Sequence, residues 1–203
     1  MRLSVILGHP RTDSFNHALA AVTVDAAQAA GHEVRFHDLQ AEAFDPVLPA
    51  GEEAAGASVP ATIDLHCREI VEADGIVIVH PNWWGMPPAI LVGWIDRVLR
   101  PGVAYRFVEG DSGEGAPVGL LRARAALVLN TSNTFPDREA RVFGDPLERI
   151  WKDCILGLCG VARVERRTFG PMVTSTSRER RAWMDEAREA MARLFPGPGA
   201  TNQ

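Results

Sequence analysis

Apolar runs and helical patterns alternate along the whole chain. Five short segments of strand length, either apolar throughout or with apolar side chains interspersed among polar ones, are separated by segments whose apolar side chains recur every three or four residues. The runs that predict strands are LSVILG, HEVRFHDL, DGIVIVHP, RAALVL and VARVERRTFG. The segments that predict helices are 14–30, 63–73, 88–99, 146–160 and 176–195. Glycine ends the first and the fourth of these helices, as it often does just past a helix.

Two longer excursions interrupt this alternation. Residues 40–60 are rich in Ala, Gly, Glu and Pro, which predicts a segment without much regular structure. Residues 100–123 carry two short strand-like pieces. We expect a single domain over 1–195, followed by a disordered tail over 196–203.

The alternation of strand and helix is typical of an open, doubly wound α/β fold. The run DGIVIVHP is almost entirely apolar, so both of its faces must be covered, which indicates a parallel sheet with helices on each side. Right-handed crossovers leave few ways to connect such strands. We therefore predict a flavodoxin-like three-layer sandwich, with a five-stranded parallel sheet in the order 2-1-3-4-5.

Composition and charge narrow the classes of function. The chain of 203 residues is 46% hydrophobic and 23% charged, which is ordinary for a globular protein. The net charge of −5 argues against a nucleic-acid partner, because no net positive field gathers phosphates. The sequence shows neither a signal peptide nor a membrane-spanning run, so we expect a cytoplasmic protein without membrane insertion.

The cysteines and histidines predict neither a disulfide framework nor a metal site. Cys154 and Cys159 have no further ligands near them in sequence, and we interpret both as small buried hydrophobic residues. The histidines are scattered, and we interpret the close pair His32 and His37 as strand surface.

Polar loops follow the first, third and fourth strands, at the sheet edge where ligands bind in doubly wound folds. These loops read GHPRTDSFN, HPNWWGMPP and NTSNTFPD. The first loop enters a helix, whose free N–H groups and dipole favour an anion. Thr12, Ser14 and Asn16 add polar side chains there. His9 and Arg11 can add positive charge, so a phosphate suits this loop.

The second and third loops suit an aromatic ring. Trp83 and Trp84 stand among prolines beside Gly85, which predicts a rigid, flat, apolar wall, although one of the two indoles can still belong to the core. The third loop begins at Asn130 and offers short hydroxyl and amide groups for the polar edge of a ring. The three loops together predict a flavin mononucleotide (FMN) or a related nucleotide.

Other uses of this sheet edge lack their required residues. The chain contains no GxxxxGK[ST] motif for a P-loop, and the first loop does not match the GxGxxG pattern of a dinucleotide site. The first loop also has no cysteine for a phosphatase of this shape. Gly8-His9 stands where a receiver domain would place acidic metal ligands.

Two motifs in combination resemble a known family. GHPRTDSFNHAL, followed by HPNWWGMPPAILVGWIDRVLRPGVAYRF, is similar to the flavodoxin-2 family of NAD(P)H-dependent quinone oxidoreductases. That family includes DT-diaphorase, modulator-of-drug-activity proteins and ancillary oxidoreductases of glutathione-gated potassium efflux systems. The resemblance extends from Met1 to about Phe195. It implies FMN as cofactor (FAD being the alternative), NAD(P)H as co-substrate and a quinone-like small molecule as acceptor.

The resemblance also implies which residues contact the cofactor. The matching positions are His9, Ser14, Phe15, Asn16, Pro81, Asn82, Trp83, Trp84, Gly85, Asn130, Thr131, Ser132 and Asn133. The segment NTSN departs from the family's T-T-G-G, which leaves the donors to the ring edge open. The diaphorases carry a Tyr and a His shortly afterwards, and FPDREARVFGDP has neither, so a side-chain proton relay of that type is not expected.

In this interpretation the flavin carries the chemistry, and no catalytic side chain is assigned. We expect a ping-pong cycle in which NAD(P)H passes hydride to flavin N5 and the acceptor then takes it from the same place. Trp84 and Tyr105 are candidates for the substrate pocket. Members of the family are typically homodimers that share the site. Tyr105 and Phe107 either lie over a flavin pocket or pack under their own chain's loop.

Three alternatives stay open at this point. The chain could be a flavodoxin-like electron carrier, although its basic last helix argues against that role. It could be a regulatory ancillary subunit of a potassium efflux transporter. It could also bind a nucleotide without turnover. The sequence does not distinguish FMN from FAD or NADH from NADPH.

Overall fold

The computed structural model describes residues 1–108, 115 and 117–198. Its main sheet has five strands, β1 (Arg2–Leu7), β2 (Glu33–Asp38), β3 (Gly75–Pro81), β6 (Ala125–Thr131) and β7 (Arg163–Phe169). They are all parallel and lie in the order β2-β1-β3-β6-β7. The predicted flavodoxin-like α/β fold with a five-stranded parallel sheet is therefore confirmed.

The labels β4 and β5 belong to a separate antiparallel pair, β4 (Tyr105–Arg106) and β5 (Val118–Gly119). These are the two strand-like pieces of the excursion 100–123. The predicted fourth and fifth strands of the sheet are consequently β6 and β7. The predicted tail from residue 199 onward lies outside the described residues.

Helices cover both faces of the sheet. The α-helices are α1 (Phe15–Ala29), α2 (Ala61–Glu72), α3 (Ala89–Val98), α4 (Pro136–Phe143), α5 (Pro146–Arg149) and α6 (Ser177–Leu194), and a π-helix spans Ile150–Gly157. Side chains alternate across β1, so that Val5 and Leu7 join the core beneath α1 and α6. Ile6, between them, joins the core beneath α2, α3 and the π-helix.

The predicted helix 146–160 starts as α5 and continues as the π-helix. In this wider turn, a Cβ atom at Gly157 would lie 2.3 Å from the carbonyl oxygen of Lys152, so a larger residue would clash there. Cys159 is buried as predicted, but Cys154 is exposed, so its assignment to the core was wrong. The described part of the excursion 40–60 has no helix or strand, as predicted.

A buried ion pair fastens this excursion to α3. The Arg97 guanidinium donates to both carboxylate oxygens of Glu52, at 3.0 and 2.8 Å, and also to the carbonyl oxygen of Asp45 at 2.7 Å. Arg97 and Glu52 are both buried. The paired geometry is what makes two opposite charges tolerable in the interior.

A second buried cluster corrects the assignment of His32 and His37 to the strand surface. Both residues are buried. Glu42 bridges two imidazoles, His37 Nδ1 at 2.9 Å and His66 Nε2 at 3.1 Å, and Glu69 contacts His37 Nε2 at 2.7 Å. The carboxylates of Glu42 and Glu69 thus satisfy the hydrogen-bonding groups of these buried rings.

His37, Glu42 and His66 each place one potential ligand atom within 4.8 Å of the others, a spacing that a metal ion could use. However, the indole of Trp94 donates to Nδ1 of His66 at 3.1 Å, so Nε2 of His66 carries the proton that Glu42 accepts. Burial alone would lower the pKa of His37, but Glu42 and Glu69 outweigh it and raise that pKa. Hydrogen bonds thus account for the cluster without a metal.

Candidate functional site

A cavity of about 810 Å³ opens at the carboxyl ends of β1, β3 and β6. The three predicted loops form it, as expected where strands of one parallel sheet end together. The predicted residues that line it are His9, Ser14, Phe15, Asn16, Pro81, Asn82, Trp83, Trp84, Gly85, Thr131, Ser132 and Asn133. We call the part formed by 9–16 the phosphate end, and the part formed by 81–85 and 131–134 the ring end.

The phosphate end is the N-terminus of α1. Ser14 caps the helix by accepting a hydrogen bond from the backbone N–H of His17 at 3.2 Å. Its hydroxyl also lies 2.9 Å from His17 Nδ1, and His17 Nε2 lies 3.0 Å from Asp38. Asp38 thereby fixes the imidazole, which in turn fixes the hydroxyl. The first N–H groups of α1 have no carbonyl partner within the helix, so they are available to an anion.

His9 contributes less charge to this end than its sequence position suggests. Burial, together with the nearby charges of His17 and Arg11, lowers the pKa of His9. His9 Nδ1 lies 3.1 Å from the backbone nitrogen of Arg11 and 3.2 Å from its carbonyl oxygen, so the backbone of the loop holds the ring in place. Arg11 itself and Arg180, on the first turn of α6, supply the positive charge along this wall.

Asn16 joins the two ends and has an unused acceptor. Its side-chain N–H donates to the Thr131 hydroxyl at 3.0 Å, while its Oδ1 is buried without a hydrogen-bond partner in the described chain. A buried acceptor of this kind is costly unless something supplies a donor. Because Asn16 lines the cavity, a ligand hydroxyl or N–H is the natural partner.

The aromatic wall is a tight turn. Trp83 and Met86 pair through two backbone hydrogen bonds of 3.0 Å, and the central residues Trp84 and Gly85 both have positive φ, 59° and 74°. Two central residues of this kind define a type I′ turn, in which a tryptophan is strained. Trp84 is fully exposed and Trp83 is about half exposed, with its ring centroid 6.2 Å from that of His9. Neither indole belongs to the core, so that alternative is excluded.

A carboxylate that the sequence did not indicate lies behind this turn. Asn82 accepts a hydrogen bond from the Gly85 N–H at 3.0 Å and donates to Glu139 at 3.3 Å. Glu139 lines the cavity from the first turn of α4. The prediction missed α4 because the helix spans only eight residues, PDREARVF, and four of them are charged. Only Pro136 at its start and Gly144 after its end marked it.

A neutral histidine supports the ring end from below. His80 is fully buried, with Nδ1 2.8 Å from the Pro81 carbonyl oxygen and Nε2 accepting from the Trp151 indole at 2.9 Å. Burial, together with the positive charge of Arg166, lowers the pKa of His80 to about 4. The end of β3 is thus tied to the π-helix by an uncharged ring.

Two predicted residues do not line the cavity. Asn130 precedes Thr131 on β6 and therefore faces the opposite side of the sheet. There its Oδ1 accepts from Arg166 at 2.9 Å and from Thr168 at 3.2 Å. Tyr105 is half-buried in β4 and packs against its own core.

Cavity residues outside the predicted set come mostly from segments distant in sequence. They are Asp13, Thr134, Glu139, Phe143, Pro146, Met172, Val173 and Arg180, and the cavity is also lined by Arg11, whose charge the sequence indicated. Met172 and Val173 follow β7, whose end also reaches this edge, and that position was the one available signal. None of the helices in the described ranges combines the length and the apolar character needed to cross a membrane.

Comparison with known proteins agrees with this geometry. A family model described as "Flavodoxin-like fold" matches residues 1–194. The chain is 32% identical over 198 residues to an "Uncharacterized NAD(P)H oxidoreductase" of Haemophilus influenzae, covering 94% of each protein. It is 33% identical over 126 residues to "NAD(P)H dehydrogenase [quinone] 1" of Cavia porcellus, covering 52% of this chain and 46% of that one.

Among solved structures, the fold is similar to that of an FMN-dependent NADH-azoreductase from Bacillus anthracis in complex with FMN. The TM-score is 0.73 at 16% identity, over 95% of this chain and 98% of the azoreductase. At this identity the likeness concerns the fold alone. The family model spans almost the whole described chain, and the Haemophilus protein matches 94% of it. The chain therefore belongs to the flavodoxin-2 family, as its two loop motifs indicated.

Proposed function

We propose that the protein is a flavin-dependent oxidoreductase that passes hydride from NAD(P)H to a quinone or a similar small electrophile. The observation that carries this proposal is the cavity itself, with a helix N-terminus at one end and an aromatic turn at the other. The two relatives named above are an oxidoreductase and a dehydrogenase, which favours turnover over the carrier and transporter-subunit alternatives.

The residues at the phosphate end fit a flavin monophosphate. The N–H groups that begin α1 and the Ser14 hydroxyl would hold the phosphate. The orphan Oδ1 of Asn16 would accept from a ribityl hydroxyl. FMN requires one phosphate site, and the azoreductase of similar fold binds FMN, so we favour FMN over FAD.

At the ring end, Trp83 and Trp84 would form the wall beside the isoalloxazine, and Thr131 and Ser132 would face its polar edge. A bound flavin supplies a ring that accepts and releases hydride. The chain's own contribution is to orient that ring and leave one face open. Because the donor and the acceptor would occupy that face in turn, we propose a ping-pong cycle.

We also propose a homodimer. Trp84, Phe143 and Val173 all line the cavity and are exposed, so the rim of the site is apolar and uncovered. On another part of the surface, Phe107 is exposed beside Tyr105, with the two rings 5.6 Å apart in an edge-to-face arrangement. In the proposed dimer, Tyr105 and Phe107 of a second copy would cover this rim. Sedimentation equilibrium at micromolar concentration tests the dimer, and a monomer would contradict it.

Steady-state kinetics test the reaction. The FMN-loaded protein should oxidise NADH or NADPH only in the presence of a quinone, and should give parallel lines in double-reciprocal plots. Riboflavin in place of FMN should support less activity at equal concentration, because riboflavin lacks the phosphate. Intersecting lines would reject the ping-pong cycle, and absence of turnover with every quinone tried would reject the proposed function.

A further inference from the structure

Glu139 places a negative charge inside the ring end. Its side chain is nearly buried, at 9% relative exposure, yet it lines the cavity. Its one described hydrogen bond comes from the neutral amide of Asn82, at 3.3 Å. None of the proposed roles described above uses this carboxylate.

No cation in the described residues neutralises Glu139. None of the ion pairs found in the described chain includes it, and the adjacent Arg138 instead lies over the Phe143 ring, 5.7 Å from its centroid. The favourable feature is the position of Glu139 in the first turn of α4, where the helix dipole stabilises an anion. A charge in so enclosed a place is screened less by water than a surface charge is.

The cavity is therefore divided electrostatically. At the phosphate end Arg11 is paired with Asp13 at 3.6 Å and Arg180 adds a further positive charge, whereas Glu139 at the ring end is a carboxylate without such a partner in the described chain. A ligand's phosphate is attracted to α1, and an anionic substituent on a ring bound beside Asn82 is repelled.

We propose that Glu139 is a specificity-determining residue that selects against acceptors with an anionic group on the ring. Neutral acceptors, and rings that are cationic or become so, are favoured. The nicotinamide that remains after hydride transfer is such a cation. This inference rests on the proposed function, because it needs a ring to be bound beside Glu139.

The test compares two acceptors that differ in charge. Dissociation constants of 1,4-naphthoquinone and its 2-sulfonate are measured by the change in flavin absorption of the FMN-loaded protein, without NAD(P)H and at constant ionic strength. The dissociation constant of the sulfonate divided by that of the neutral quinone measures how strongly the site discriminates against the anionic group. Two like charges about 7 Å apart repel each other enough, at an effective dielectric constant of about 35, to change an affinity tenfold. We therefore expect Glu139→Gln to lower this ratio roughly tenfold.

Asp137→Asn is the matched control. Asp137 lies two residues earlier on the same helix turn, is exposed and does not line the cavity. Asp137→Asn also removes one negative charge. The ratio of dissociation constants in this variant should stay within about twofold of wild type, because exposed charges are screened. An equal fall in both variants would overturn the proposal, because the effect would then be one of net charge.

A second variant keeps the test decisive if Glu139→Gln fails to fold. Glu139→Ala removes the same carboxylate and leaves no polar side-chain atom at that buried position, and it should lower the same ratio roughly tenfold. An unchanged ratio in the variant that folds and binds FMN would overturn the role of Glu139 alone. Failure of the wild-type protein to bind any flavin would overturn the proposed function, and this inference with it.

Discussion

Replacing Asn16 with leucine should separate the needs of the cofactor site from those of the fold. The side chain is 2% exposed, so its polar atoms depend on protein or ligand partners. In the free protein it makes one hydrogen bond, to Thr131 at 3.0 Å, and leaves Oδ1 unsatisfied. Losing the hydrogen bond costs about 1 kcal/mol, whereas removing a buried orphan acceptor recovers roughly 1–3 kcal/mol.

These opposing effects predict that Asn16→Leu changes the unfolding free energy of the apoprotein by less than about 2 kcal/mol in urea titrations. Flavin affinity should nevertheless fall. A net hydrogen bond of about 0.5–1.5 kcal/mol to a ribityl hydroxyl corresponds to a roughly 2- to 13-fold loss. The loss should be equal for FMN and riboflavin, since they share that chain, and fluorescence titration measures both.

Thr23→Val provides the control on the same helix. Thr23 is fully buried and donates to the Ala20 carbonyl oxygen at 2.8 Å, away from the cavity. Its loss should change stability by about 1 kcal/mol and leave flavin affinity unaltered. The reasoning about Asn16 is refuted if Asn16→Leu strongly destabilises the apoprotein while flavin binds as before.

Three further changes test the fold and the phosphate end. Glu52→Ala should destabilise the protein by about 3–5 kcal/mol in urea titrations, because it leaves the buried Arg97 guanidinium with only the exposed Asp45 carboxylate, 3.4 Å away, as its counter-charge. His37→Gln should remove a stability contribution that is full below pH 6.5 and is lost as the pH rises through the higher pKa of His37 in the folded state. Urea titrations of both proteins between pH 5 and 9 test this sign, and a difference that grows with pH would contradict it. Ser14→Ala should cost about 1 kcal/mol of stability through the lost helix cap. It should also weaken FMN binding about tenfold in fluorescence titrations while leaving riboflavin binding within about threefold, and an equal loss for both flavins would exclude a phosphate there.

The strands and the three loops could be predicted because their signals are local. The burial of an apolar run such as 74–81 can be predicted from that run alone. A parallel sheet also brings the carboxyl ends of its strands to one edge, independently of the rest of the chain. At the end of β6 these local signals are not sufficient. Asn130 and Thr131 are neighbours, so they face opposite sides, and sequence alone did not show which one faces the cavity.

The rest depended on contacts between distant segments. Glu139 is buried because α4 folds back over the turn that contains Asn82, although four of the eight residues of this helix are charged. The polar ring of His37 is tolerated in the interior because Glu69, 32 residues away, forms a hydrogen bond with it. The turn at Trp84 has positive φ at a residue type that rarely adopts it, so no turn preference could predict it.

The most direct test of the account is an anaerobic absorption spectrum of the FMN-loaded protein, recorded before and after one equivalent of NADPH or NADH and again after a quinone. We expect the flavin absorption band at about 450 nm to bleach when the reduced nicotinamide is added and to return when the quinone is added. A protein that binds FMN but keeps its band would contradict hydride transfer. A protein that binds no flavin would contradict the assignment of the cavity itself.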